Sequence, residues 1–134
     1  MNARSKDAAF PSEVASKAYE PDILTEGLKV IFCGLNPAAT AAVDGHNFSS
    51  RSNRFWRVLH LAGFTNVCLE AHNERLLLEY GCGISAVVDR PTNRADEVSR
   101  EEFRAARLVF EAKMRRYAPC WVAFLGKRAV SEML

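Results

Sequence analysis

Among the polar side chains of this 134-residue chain, Asn36 stands where chemistry is easiest to place. It follows a short apolar, β-branched run, Leu28-Lys29-Val30-Ile31-Phe32-Cys33-Gly34, and precedes Pro37, whose ring pushes the residue before it toward extended geometry. The Asn36 amide is therefore presented at the carboxyl end of a strand, the edge at which open α/β sheets bind ligands. Asp89 directly follows a second apolar run, Gly83 to Val88, and shares that edge if the two strands are parallel. As a carboxylate it could activate water or stabilise a developing cation, or simply cap its turn or pair with Arg90. His46 lies in a Gly-punctuated loop, Asp44-Gly45-His46-Asn47-Phe48, that can line a pocket beside Asn36. Arg51, Arg54 and Arg57 interleave with Phe55 and Trp56 near a helix start, which suits either a phosphate seat or a solvated face.

Other chemistry is excluded by pattern. Gly81-Cys82-Gly83-Ile84-Ser85-Ala86 has dinucleotide-loop spacing but precedes a strand instead of following one, so it reads as a helix stop and strand entry. Gly126-Lys127 lacks the Ser or Thr and the upstream Gly of a triphosphate loop. Cys33, Cys68, Cys82 and Cys120 are scattered singly without companion histidines, which disfavours zinc or iron–sulfur ligation and predicts small apolar core residues. No Ser or Cys sits in a nucleophile-elbow context, and His60 and His72 read as partly exposed helix residues.

These side chains need a frame, and the elements alternate. Residues 1–26 are punctuated by Pro11, Pro21 and Gly27 and read as a tail, poorly ordered at its start. The first strand ends at Gly34. A helix follows over 52–61 with Phe55, Trp56, Val58 and Leu59 inward and Gly63 as its stop, then a second over 69–80 closed by Gly81. Ser99 and Glu102 form a capping box that opens an amphipathic helix to Tyr117, with Phe103, Leu108, Val109, Ala112 and Met114 on its apolar face. Cys120 to Gly126 reads as a third buried strand, and Lys127 starts a last helix. The alternation predicts parallel β-α-β units. The abrupt end at Leu134 leads us to expect an α/β fold without its last strand and helix.

Composition agrees with one folded domain over 27–134 and with nothing larger. Hydrophobic residues make up 49% and charged residues 25% of the chain, which excludes disordered and fibrous classes. Net charge is +2, with most of the 18 basic residues Arg, too small an excess to predict nucleic-acid binding by itself. The longest apolar stretch, Val30 to Leu35, is far short of the roughly 18 residues of a membrane span. With no apolar core after Met1-Asn2-Ala3-Arg4, this start does not read as a secretory signal and a cytoplasmic protein is expected.

The pattern resembles the mismatch-specific uracil-DNA glycosylase and thymine-DNA glycosylase family, within the uracil-DNA glycosylase superfamily. The matching blocks are Val30-Ile31-Phe32-Cys33-Gly34-Leu35-Asn36-Pro37, Gly45 with Phe48, Asn53-Arg54-Phe55-Trp56, Ala62-Gly63-Phe64-Thr65, Tyr80-Gly81-Cys82-Gly83, Val88-Asp89-Arg90-Pro91-Thr92, Asn93 to Ser99, and Leu125-Gly126-Lys127. The resemblance implies a three-layer α/β/α sandwich around a mainly parallel sheet, and a monomeric, cofactor-free and metal-free enzyme. Such an enzyme flips a uracil or related base out of a G·U or G·T mispair in double-stranded DNA. Asn36 matches the family's catalytic Asn, which orients water toward the deoxyribose C1′, and Phe48 matches the aromatic that stacks on the base. Leu35, Pro37, Ala38, Asn47 and Ser85 are expected around the base and Arg51, Arg54 and Lys127 on DNA phosphates; Asp89 is expected as a second catalytic group from its strand-end position, not from the resemblance. Ala38-Ala39 departs from the family's Gly after Asn-Pro, and the family's second signature, a wedge loop, is expected to fall beyond residue 134. A catalytically weak DNA-binding remnant and an unrelated small-molecule enzyme are the competing readings.

Overall fold

The computed structural model describes residues 19–133, so the start of the expected tail, residues 1–18, lies outside the described residues. The β-branched run folds as strand β1, Val30–Gly34. It is followed by α1 (Ala39–Asp44), α2 (Phe55–Leu61), a 3₁₀ segment over Ala71–Tyr80, β2 (Cys82–Ala86), α3 (Arg100–Tyr117), β3 (Trp121–Phe124) and α4 (Lys127–Met133). β1 lies in the middle of the sheet and pairs in parallel with both neighbours, from Val30 opposite Cys82 and Trp121 to Cys33 opposite Ser85 and Phe124.

Side chains alternate across a strand with period two, so β1 serves two cores. Ile31, Cys33 and Leu35 pack with Phe103 and Phe110 of α3 and Ala129 of α4. Val30 and Phe32 pack on the opposite face with Ile84 of β2, Trp56 and Leu59 of α2, and Leu77. Helices thus cover both faces of a parallel sheet, the mixed α/β architecture expected from the alternation.

Several local expectations change. The segment before β1 is not a tail where it is described, because Ile23 is buried and exchanges backbone hydrogen bonds with Ile84 at 2.8 and 3.1 Å, adding an antiparallel bridge to the outer edge of β2. Gly83 permits this approach, since a Cβ there would stand 2.6 Å from the Ile23 carbonyl oxygen. α1 is an element the sequence pattern missed, six residues rich in Ala with no side-chain cap. The 69–80 helix is 3₁₀ and kinked at Asn73. On α3 the buried set is Phe103 and Phe110, flanked by Ala106 and Met114, at helical spacing; Leu108 and Val109 fall on the far side and are exposed, as is Val58 on α2. β3 is an edge strand among the described residues, with Trp121 exposed instead of buried. Cys33 and Cys82 are core residues, but Cys68 and Cys120 are exposed.

The cap of α3 is half of the expected box. Ser99 Oγ accepts the Glu102 N–H at 3.0 Å, but the Glu102 carboxylate turns away to take two hydrogen bonds from the Arg90 guanidinium, at 2.9 and 2.8 Å. Those bonds hold the Glu102 carboxyl below its ordinary range. Arg90 therefore pairs with Glu102, not with Asp89, and ties the start of α3 to the loop after β2.

Candidate active site

The loops leaving β1 and β2 stay zipped together beyond the sheet. Val88 N–H donates to the Leu35 carbonyl at 2.9 Å, Thr92 N–H to Pro37 at 3.2 Å, and Ala39 N–H to Thr92 at 2.9 Å. Between these rungs stands Asn36. Its Nδ2 donates to the Arg90 carbonyl oxygen at 2.8 Å and to Thr92 Oγ1 at 2.9 Å, while Thr92 Oγ1 donates onward to the Arg94 carbonyl at 2.8 Å. A carbonyl oxygen only accepts, and the Thr92 proton is already given to Arg94, so both contacts demand the NH₂ end of the amide. These two contacts fix which end of the amide faces Arg90 and Thr92, and Oδ1 takes no hydrogen bond among the described residues.

Asn36 lines a cavity of about 160 Å³ at the carboxyl ends of β1 and β2. A cavity of about 150 Å³ admits one six-membered ring the size of benzene, so the space suits a single pyrimidine-sized ring. Pro37, Ala38, Asn47, Phe48 and Ser85 also line it, which brings six of the expected site residues together. Phe48 is half-buried and stacks on Phe55 with ring centroids 4.1 Å apart and planes 24° from parallel. Phe32 and Trp56 support Phe55 edge-on, at 5.6 and 5.0 Å. The ring is thus one layer of an aromatic stack whose other members belong to the core.

Two further clamps surround the cavity. Ser85 Oγ–H donates to Asp22 Oδ1 at 2.6 Å, and Lys113 Nζ of α3 reaches Asp22 Oδ2 at 2.6 Å. The serine proton is committed to a carboxylate that Lys113 also holds, so Ser85 offers only lone pairs elsewhere. Asn47 is buried and fully bonded: its backbone N–H and Nδ2 donate to Glu74 Oε1 at 2.9 and 3.0 Å, Nδ2 donates also to the Pro21 carbonyl at 3.0 Å, and Oδ1 accepts from the Tyr19 hydroxyl. Burial, with Glu74 and then Asp22 nearby, pushes the Tyr19 phenol well above its ordinary range.

Some expected residues lie elsewhere. The Leu35 side chain is in the core under α3, and its carbonyl is spent on Val88. The Phe48 carbonyl is likewise taken, by Trp56 Nε1 at 3.2 Å. Asp89 is exposed and does not line the cavity; it is the Asp89 neighbour Arg90 whose backbone meets Asn36. His46 turns away into an adjoining polar cavity and contacts Glu74 Oε2 at 2.9 Å. Arg51 and Arg54 are exposed beside Ser50 and Asn53, which line the cavity, and Lys127 is exposed at the start of α4. None of these three cations has an ion pair among the described residues. The sequence pattern missed Tyr19 and Pro21, which sit in the apparent tail, Thr92, which reads as a turn residue, and Asn53, whose Oδ1 takes the first N–H of α2 at 2.8 Å. Among the described residues no cluster of His, Cys, Asp and Glu has the makings of a metal site, and no helix is long and apolar enough to cross a membrane.

The sequence model of the uracil DNA glycosylase superfamily matches residues 21–134. The chain belongs to this superfamily. Its members are DNA glycosylases, hydrolases that act on DNA to start base-excision repair. The superfamily match begins at Pro21, just ahead of the residues that bridge to β2 and bond Ser85.

Proposed function

We propose that the chain is a monofunctional DNA glycosylase of the mismatch-specific kind, hydrolysing the N-glycosidic bond of uracil opposite guanine in double-stranded DNA. The observation that carries this reading is the pinned Asn36 amide, whose Nδ2 is held by Arg90 and Thr92 at the rim of a cavity sized for one pyrimidine ring. An amide is too weak a base to deprotonate water, but a fixed Oδ1 accepts a hydrogen bond from one and aims its oxygen at the sugar carbon. The departing base leaves as an anion, and the barrier falls through fixed dipoles around it and through the placement of the water. Phe48 supplies the stacking face, an interaction worth about 1–3 kcal/mol per base and tolerant of base identity. A G·U or G·T pair is weaker than a matched pair, so extruding its pyrimidine costs least, which favours mispairs before any contact is made. Arg51, Arg54 and Lys127, exposed near this edge, are the groups to hold phosphates, and each phosphate contact would add about 0.9 to the salt slope of binding.

The test is single-turnover base release from a duplex carrying one G·U pair, read as alkali-labile strand cleavage. Release that vanishes in Asn36→Ala is the expected result. Undiminished release in that variant would remove Asn36 from the mechanism. Salt-dependent duplex binding with no release by the unaltered chain would favour a DNA-binding protein without glycosylase activity.

A further inference from the structure

Glu74 is the buried carboxylate of the described residues for which the water-orienting scheme has no use. It sits on the 3₁₀ segment, is 7% exposed, and directs no atom into the Asn36 cavity. Its two oxygens are nonetheless spent on one short stretch of the loop across the site. Oε1 receives both the backbone N–H and the side-chain Nδ2 of Asn47, at 2.9 and 3.0 Å, and Oε2 meets His46 Nδ1 at 2.9 Å. The next residue is Phe48, which adopts φ 53°, a left-handed conformation that a bulky side chain rarely takes. A strained residue persists only where its neighbours over-determine it. On its amino side Glu74 holds Asn47, and on its carboxyl side the Phe48 carbonyl is held by Trp56 Nε1 at 3.2 Å.

From this geometry we infer that Glu74 is a positioning residue: it holds the Phe48 ring in its left-handed seat and so sets how well the site binds an extruded base. The inference rests on the glycosylase reading for its kinetic consequence. A stacking platform grips the base about equally before and during bond cleavage, so its loss is a loss of uniform binding. The half-saturating concentration of substrate rises while the rate at saturation stands. The role is geometric: it needs an acceptor at the reach of a Glu side chain, and Gln supplies one where Asp, shorter by a methylene, does not.

The experiment compares Glu74→Gln, Glu74→Asp and Glu74→Ala in the full chain. Single-turnover release is measured against concentration on a duplex with one G·U pair, beside the ¹H–¹⁵N spectrum of the two indole N–H groups. Asp and Ala should raise the half-saturating concentration about tenfold, within the range of one lost base stack, with the saturating rate held within about twofold. Gln should behave as the unaltered chain. The Trp56 indole resonance should shift in Asp and Ala, while that of Trp121, exposed on β3, should stay. If Ala fails to fold, the Gln and Asp pair still decides between geometry and charge. Asp matching the unaltered chain while Gln fails would overturn the inference, as would a folded Asp variant with unchanged half-saturation and an unmoved Trp56 resonance. If the unaltered chain releases no base, the glycosylase reading fails by itself, and the Trp56 resonance still tests whether Glu74 holds Phe48.

Discussion

Thr92→Val isolates what fixes the amide that orients the attacking water. Thr92 is buried, and Val replaces its hydroxyl with a methyl of similar volume, so the packing of the loop is retained while two hydrogen bonds go. Asn36 Nδ2 keeps its 2.8 Å contact with the Arg90 carbonyl but loses the one to Thr92 Oγ1. A neutral hydrogen bond contributes about 1 kcal/mol net, so the preference for the water-holding orientation weakens by about that much. At 1.36 kcal/mol per factor of ten, the saturating single-turnover rate should fall about fivefold. The half-saturating concentration should stand, because Phe48 and the cavity walls are untouched. Thr92→Ser, which keeps the Oγ acceptor, should restore the rate. The assay is base release from the G·U duplex at saturating concentration, with thermal unfolding to verify that the Val variant is folded at the assay temperature. A folded Val variant with an unchanged rate, or one that lost binding with its rate intact, would refute the argument that Thr92 orients Asn36.

Three other outcomes follow from the same geometry. Asp89→Ala should keep base release within about twofold, because Asp89 is exposed outside the cavity; a loss of tenfold or more would return it to the mechanism. Gly83→Ala should destabilise the fold by about 1–3 kcal/mol, since its Cβ would meet the Ile23 carbonyl at 2.6 Å; a urea midpoint equal to that of the parent would mean residues 21–24 are not docked on β2. Burial, with Asp22 beside it, pushes the Cys33 thiol up to about 12, so the native state keeps a proton that the unfolded chain sheds near pH 9. The unfolded state then binds fewer protons, and stability falls as pH rises, by up to about 1.4 kcal/mol per unit between about 9 and 12. Cys33→Ala should flatten that slope in denaturant titrations.

How much of this was legible in the sequence depends on whether a residue's role is local. Asn36 was legible because a β-branched run ended by Gly and followed by Asn-Pro specifies a polar side chain at a strand's carboxyl end, whatever the rest of the chain does. Ser99 was legible for the same reason, a cap acting within one turn. Its partner Glu102 was misread because Arg90, twelve residues upstream, offers a two-point contact that outcompetes the local backbone N–H. Glu74 carries no local signal at all: on a short amphipathic segment it reads as a solvated acid, and only the fold brings the Asn47 loop over it. Tyr19, Asp22 and Ile23 were hidden by Pro and charge punctuation, which marks irregular backbone but not whether that backbone is docked.

The non-local contacts divide the site into two halves that differ in what they control. One half is the zipper between the loops after β1 and β2, where Arg90 and Thr92 hold Asn36 and Arg90 is anchored in turn to Glu102 at the start of α3. The other is the Asn47–Phe48 stretch, held by Glu74 below and by the Trp56 indole beyond. Neither clamp shares a residue with the other, and sites without common partners perturb free energies nearly additively. Combining Thr92→Val with Glu74→Asp should therefore multiply the loss in saturating rate by the loss in binding, giving about a fiftyfold fall in kcat/KM. A double variant no worse than the worse single one would mean that both clamps act through one shared motion of the cavity wall, and the separation into an attacking half and a binding half would have to be abandoned.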